Sequence, residues 1–399
     1  MSLETVLDVT KSAGADYLDR AKELAPLIRG EADEMERTAT ITPAVADALR
    51  EKGLYWMLLP ADLGGGGLGL TETVAVLEEI SRADGSTGWA LMAPTLGIGL
   101  GAGYLPTDGA QELYGGDDKA VSAGFSAPFG KAVRVEGGYR AKAKLQFLSG
   151  SAFLTYVAAG LMVVDDEGKP ELLPNGEPNT LFAYFPRENV EYLGGWDVMG
   201  MVGTGSIDYE VPEQFLPERR AFSTASSAKP NRSEGVFSLS LISMSVAGHA
   251  AVTLGIMGRA LEEIADVAKN KARLGYAGTI GEHPLFAHDF AVREAEYQAA
   301  RAFAYRVFQE AEDAATLEGG LSDYHDARVR QVSTWVHNVA DQLTSFTQLW
   351  GGSKAFRNPS ALGRATRDIA TAKTHLLVDQ STLIPAAGPI LAEWRGENA

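Results

Sequence analysis

Seven apolar residues near the end of the chain, Val329, Val332, Val336, Val339, Leu343, Phe346 and Trp350, recur at intervals of three and four. That rhythm places them on one face of a single long helix, and a face of that length has to be buried against other helices. The stretch "AVTLGIMGRALEEIADVA" repeats the pattern with Leu254, Met257, Leu261, Ile264 and Ala268. Two such seams predict a helix bundle, with surface to spare for a subunit interface.

The rest of the chain has other textures. Residues 1–118 read as an N-terminal helical domain. Thr42-Pro43 is a cap followed by a proline at the first helical position, Gly53 ends that helix, and Thr71 opens the next. From 119 to 222 the period falls to two. "KAVRVEGGYRAKAKLQF" alternates around a Gly-Gly turn, and "TLFAYF" and "SIDYEV" are short β-branched or aromatic runs. These predict a central antiparallel β domain, with the helix-bundle domain occupying 223–399. The fold class is α+β, mainly α.

Several functions lack the residues they need. There is no cysteine among the 399 residues, which removes disulfides, thiolate catalysis and cysteine-based metal sites and predicts a cytoplasmic protein. The net charge of -17 and pI near 4.9 argue against nucleic acid, which demands a basic face. No uninterrupted apolar run reaches the length of a membrane span, and "MSLETVLDVT" has no basic-then-apolar leader pattern. No metal is expected: His283 and His288 are five apart with Pro284 between them, so one helical face cannot present both rings. His249 and His337 fall within helical stripes and read as satisfied core or interface residues; His325 reads as part of a helix start. "LPADLGGGGLGL" holds a literal G-x-G-x-x-G, but no strand precedes it, so it reads as a turn. Hydrolase and nucleoside-triphosphatase motifs are missing.

One stretch stands apart. "GGSKAFRNPSALGRATRDIATAKTHLL", residues 351–377, gathers Lys354, Arg357, Arg364, Arg367 and Lys373 in an acidic chain. The glycine pair after the long stripe predicts a compact turn with exposed backbone N–H groups, which with Lys354 and Arg357 beyond it suits a phosphate.

The order of helices, small β domain and bundle, with "Q-x-x-G-G-S-x-A-F-R-N-P-S-x-L-x-R-x-x-R-D", resembles the acyl-CoA dehydrogenase superfamily. "YWMLLPADLGGGGLGLTETVAVLEEISRADGSTGWAL", "EGGYRAKAKLQFLSGSAFLTYV" and "WDVMGMVGTGSIDYEVPEQFLPERR" extend the likeness over roughly residues 20 to 395. The resemblance implies a barrel-like β domain, a bound flavin and a homotetramer built as a dimer of dimers.

The superfamily holds two chemistries. Its dehydrogenases need a carboxylate base, eight residues beyond the Asp of the R-D pair or ten before the Gly of "LGI". Those positions hold Leu376 and Ser245. Its two-component flavin-dependent monooxygenases instead carry a histidine seven residues after that Asp, which here is His375. "FLSG" places Ser149 where the branch holds the flavin N5, and "GFSAPFGKA" resembles its flavin-facing loop.

On this likeness a separate flavin reductase supplies reduced FMN or FAD, which reacts with O2 through a C4a-hydroperoxyflavin to oxygenate a small organic substrate. The likeness makes His375 and Ser149 the catalytic pair. It assigns Phe125, Ser126, Phe147, Ser149, Arg273, Gln348, Gly351, Gly352 and Lys354 to the cofactor, and Trp89, Met92, Thr95, Phe125 and His375 to the substrate pocket. His375 is expected to act as a base, or to hydrogen-bond the hydroperoxide. Phenol-hydroxylating relatives often place a second histidine in the helix after "GW"; this chain has none there, which counts against a phenol and leaves an indole, a thioether, an amino sugar nitrogen or an unusual aromatic as substrates. The rival classes are an acyl-CoA dehydrogenase-like oxidase or dehydrogenase with a non-standard base, and a non-catalytic helical scaffold.

Overall fold

A computed structural model describes residues 13–397; the opening "MSLETVLDVT" lies outside the described residues. Helices come first: α1 (Ala13–Thr38), α2 (Pro43–Glu51), α3 (Leu70–Ala83), α4 (Gly85–Tyr104) and α5 (Thr107–Tyr114). α1 buries Ala21, Leu24, Ile28, Ala32 and Met35 along one stripe. Pro43 opens α2 as expected, although the Thr42 hydroxyl makes no capping bond. Gly53, at a φ of 72°, turns the chain out of that helix. α3 starts at Leu70, not Thr71: Glu72 accepts from the Gly69 amide at 3.2 Å, and a distant residue takes the next two amides. The Glu312 carboxylate accepts from the Leu70 and Thr71 amides at 2.8 and 3.2 Å, satisfying donors that a helix start leaves open. The glycine-rich segment before α3 is a tight turn, with Gly64 and Gly67 at φ of 74° and 61°.

The strands are β1 (Ser122–Val135), β2 (Gly138–Leu148), β3 (Tyr156–Val164), β4 (Thr180–Pro186), β5 (Glu191–Gly194), β6 (Ile207–Pro217) and β7 (Ala221–Ser223). They form one sheet in the order β5-β6-β2-β1-β3-β4-β7. The Gly-Gly turn is present, with Val135 paired to Gly138. The expected all-antiparallel arrangement fails in one pair: β1 and β3 are parallel, Ser122 facing Tyr156 and Val133 facing Val164. β2 returns to the start of β1, and residues 149–155 carry the chain past that end, so β3 sets out in β1's own direction. The strand order is open, with β5 and β7 at its edges. A bulge interrupts β1 between Phe125 and Gly130, an irregularity common beside functional sites.

The bundle consists of α6 (Leu241–Asn270), α7 (Pro284–Glu318), α8 (Asp323–Gly351), α9 (Ala361–Ala372) and α10 (Leu383–Trp394). α8 buries all seven residues of its stripe. α6 runs through the centre, packed on α3, α4, α8 and α9. Its Gly255 permits the closest approach: a Cβ there would lie 2.3 Å from the Glu78 carbonyl oxygen. α6 also amends the expectation about apolar runs. Its mean hydropathy of 1.5 and its length match a membrane span, but 83% of that window is buried inside the fold. Its apolarity is spread over Ala, Val, Met and Gly, as a helix enclosed by other helices requires.

α4 joins bundle to sheet. It is buried almost all round, and the Tyr184 hydroxyl of β4 donates to the Gly97 carbonyl at 2.7 Å. The site forms along this seam.

Candidate active site

Three rings meet between α4, α6 and the segment after α9. The ring centroids of His249 and His375 are 4.1 Å apart, and Trp89 lies 4.7 Å from His249 and 5.7 Å from His375. Trp89 comes from the first turns of α4, which starts where Asp84 caps it by accepting from the Thr87 amide at 2.8 Å. His249 comes from the small-residue run "SVAGHAAV" of α6, and Met92 packs beside it over Gly248. His375 follows the end of α9 and caps the next short turn, its Nδ1 accepting from the Leu377 amide at 3.3 Å.

Burial decides the charge of these rings. Loss of water pulls His375 down to about 4. His249 falls well below the ordinary imidazole value, first from burial and then from the nearness of His375 and His337. Burial likewise takes His337 to about 4. Its Nδ1 bonds the Ser333 carbonyl at 2.7 Å and its Nε2 the Thr253 hydroxyl at 2.9 Å, so it is the satisfied core residue the sequence predicts. His249 is not: its Nδ1 is buried with no partner among the described residues. All three imidazoles are neutral at pH 7. In His375, with Nδ1 accepting, the proton sits on Nε2.

Trp89 ties this group to the sheet, its Nε1 donating to the Ser149 hydroxyl at 3.1 Å. Ser149 is buried in the connection that follows β2, where the Gly150 amide bonds the Thr204 carbonyl at 2.9 Å. Its hydroxyl also contacts Ser206 at 2.8 Å, and Ser206 contacts Thr204 at 2.7 Å. Phe147 takes a left-handed φ of 65° at the end of β2. Its ring is 6.1 Å from Phe125 and 6.3 Å from Trp196, and Phe125 is 5.9 Å from Phe129. This partly exposed aromatic row fits a flat ligand. Ser126 lies in the same bulge and is exposed. Thr95 is fully buried, its hydroxyl without a partner among the described residues.

The remaining expected cofactor residues form a second group. Gly351 ends α8, about 20 Å along the helix from His337 by the helical rise, so one copy of the chain does not bring Gln348, Gly351, Gly352, Lys354 and Arg273 to the ring cluster. The turn also differs from expectation. The Gly352 amide is taken by the Gln348 carbonyl, and the chain continues as a short 3-10 turn, so exposed carbonyls, not amides, define it. Lys271 donates to the Gly351 carbonyl and Arg273 to that of Leu349. Burial, Arg273 and then Lys354 lower the Lys271 ammonium below its ordinary value, the mark of cations crowded without an acid. That crowding still suits an anion. Three of the five cations of the run are spent elsewhere: Arg364 pairs with Asp33 and Glu36, Arg367 with Glu36, and Lys373 with Asp341.

Four contributing residues escaped the sequence reading, His249, Trp196, Thr204 and Ser206, as did a second role of Asp368. The Asp368 carboxylate accepts from the Met201 amide at 2.6 Å, linking α9 to the loop that carries Thr204 and Ser206. The one available signal was a histidine set among glycines and alanines, where small neighbours leave room for the ring to meet others.

Two family models match the chain: acyl-CoA dehydrogenase, N-terminal domain, over residues 20–112, and acyl-CoA dehydrogenase, C-terminal domain, over residues 247–380. Together they span more than half of it, and the chain belongs to the acyl-CoA dehydrogenase superfamily. It is 28% identical over 354 residues to indole-3-acetate monooxygenase of Pseudomonas putida, covering 89% of this chain and 88% of that protein. Its fold matches XiaF from Streptomyces sp. in complex with FADH2 and glycerol, with a TM-score of 0.85, 21% identity and 96% of both chains covered. It also matches TdsC from Paenibacillus sp. A11-2 with FMN and indole, with a TM-score of 0.76, 22% identity and 95% and 97% covered. Within the superfamily the chain falls in the two-component branch and is a flavin-dependent monooxygenase.

Proposed function

We propose that the chain hydroxylates a small aromatic, indole-like substrate, using O2 and reduced FMN or FAD handed over by a separate reductase protein. The reaction balances as substrate C–H, O2 and reduced flavin giving hydroxylated substrate, water and oxidised flavin. The observation that carries this reading is the ring box of Trp89, His249 and His375 bonded through Trp89 to Ser149.

Reduced flavin, when bound, supplies the two electrons that activate O2. Ser149 would hold the flavin edge, and Phe125, Phe147 and Trp196 would cover its ring and keep water out, which strengthens every polar contact inside. In the homotetramer, the cations at the α8 turn of a neighbouring copy would take the flavin's phosphate. The low basicity of His375 and its occupied Nδ1 support the role of donor at Nε2 more than that of base. α4 lacks the second histidine of the phenol-hydroxylating pattern, but His249 supplies an imidazole to the same box from α6. A phenol therefore belongs among the substrates to be tried.

The dehydrogenase alternative finds no acid at either expected position. Leu376 is exposed, and the Ser245 hydroxyl donates to the Leu241 carbonyl at 2.8 Å. A homotetramer, the family pattern, is supported by exposed Trp335 on α8 and by Ile384, Leu391 and Trp394 on α10; light scattering would report its mass.

The test is to mix the protein with reduced FMN or FAD without oxygen, admit O2, and offer indole, indole-3-acetate and simple phenols. Hydroxylated product approaching one per flavin oxidised is expected with at least one of them. Flavin reoxidation at its free-solution rate, with stoichiometric hydrogen peroxide and no product, would refute the proposal.

A further inference from the structure

The direction of the hydrogen bonds around Ser149 is fixed by a carbonyl. The Thr204 hydroxyl lies 2.7 Å from the Met201 carbonyl oxygen, and a carbonyl only accepts, so Thr204 spends its single proton there. Thr204 must then accept from Ser206 across their 2.7 Å contact. Ser206, its proton committed, must accept from Ser149 across 2.8 Å. Ser149 in turn accepts from the Trp89 indole at 3.1 Å. All three hydroxyl residues are buried, so no bulk water competes for these protons. The anchor is itself held: Asp368 accepts from the Met201 amide at 2.6 Å, and the Trp196 indole donates to the Met201 carbonyl at 3.1 Å.

Ser149 is left with one open lone pair and no proton to give. We infer that Thr204 and Ser206 are positioning residues that lock the Ser149 hydroxyl as an acceptor, so that the site prefers reduced flavin, whose N5 carries a proton, over oxidised flavin, whose N5 offers only a lone pair. This rests on the proposed placement of the flavin edge at Ser149. It makes redox-state selection a property of a hydroxyl chain that begins at the Met201 carbonyl, behind Ser149.

Thr204→Val removes the acceptor that Ser206 points to. Ser206 can then turn its proton toward Ser149, which frees the Ser149 proton for oxidised N5. Ser206→Ala frees the same proton directly. Thr204→Ser keeps the chain intact. The experiment titrates wild type and the three variants with FMN and FAD, each in oxidised and in anaerobically reduced form, reading dissociation constants by flavin fluorescence and absorbance. Circular dichroism and melting temperature confirm that each variant is folded.

The ratio of oxidised to reduced dissociation constants is expected to fall roughly fivefold in Thr204→Val and Ser206→Ala, the worth of about one hydrogen bond, and to return to the wild-type ratio in Thr204→Ser. Folded Ser206→Ala protein with an unchanged ratio would overturn the inference, whether or not Thr204→Val folds. Wild-type protein that binds neither redox form would instead sink the proposed function, and this inference with it.

Discussion

His249 carries a buried ring nitrogen with no partner among the described residues, 4.1 Å ring to ring from His375. A polar atom left so costs stability, on the order of 1–3 kcal/mol, and such costs persist where a site uses the atom. His249→Leu is therefore expected to raise stability to urea by about 1 kcal/mol while lowering product formed per flavin oxidised roughly tenfold, the rest appearing as hydrogen peroxide. A variant that lost stability and stayed fully coupled would return His249 to the core. Ser149→Ala is expected to leave the melting temperature within a few degrees of wild type and to raise peroxide release several-fold, since the flavin N–H then lacks its acceptor. The two residues differed in legibility. Ser149 and His375 stood out through their place in a run and their offset from Asp368. Periodicity reports that His249 is buried but not whether its nitrogens are satisfied, because the answer lies on α4 and beyond α9.

At the scale of elements, the helices were legible and the partners that end them were not. The seam on α8 and the Pro43 start of α2 follow from local spacing. The start of α3 is shared between the local Glu72, which accepts from the Gly69 amide, and Glu312 of α7, which no local pattern announces. Burial raises this carboxyl above its ordinary value, the two amide bonds opposing the shift only in part, so its hold on α3 weakens as it protonates. Glu312→Ala leaves the Leu70 and Thr71 amides without a partner and is expected to cost about 2–4 kcal/mol in chemical unfolding. Glu312→Gln, which retains an acceptor, should cost less; equal losses would assign the effect to packing. The parallel β1–β3 pair was illegible for a related reason: alternation of two fixes which face is buried, but not which way the neighbouring strand runs. The cationic run misled by composition alone, since Arg364, Arg367 and Lys373 find their acids on α1 and α8, far away in sequence.

Across the whole molecule, α9 acts as a clasp. Arg364 and Arg367 hold α1, and Asp368 holds the Met201 loop of the β domain. The clasp and the histidines respond to acid with opposite signs. His337 and His375 have folded values near 4 against an ordinary 6.5. Their contribution is complete above pH 6.5 and is lost as the pH falls toward 4, because the unfolded chain takes the proton first. Asp368 is raised from 3.8 to about 7, by burial foremost and then by Asp84, with the Met201 amide and Arg364 opposing. Its ionised form therefore costs stability above pH 7, and the cost is relieved as the pH falls from 7 toward 3.8. Asp368→Asn keeps an oxygen for the Met201 amide, leaves Arg364 its bonds to Asp33 and Glu36, and removes the buried charge. Urea unfolding of both proteins from pH 8 to pH 4 is expected to show the variant more stable at pH 8, with the gap closing on acidification. The variant should also show the steeper acid loss, since the histidines then act unopposed. A variant less stable than wild type by a gap that stayed constant with pH would mean that Asp368 is held ionised by its neighbours, and that the clasp is an ion-pair network in which this carboxylate stabilises the folded chain.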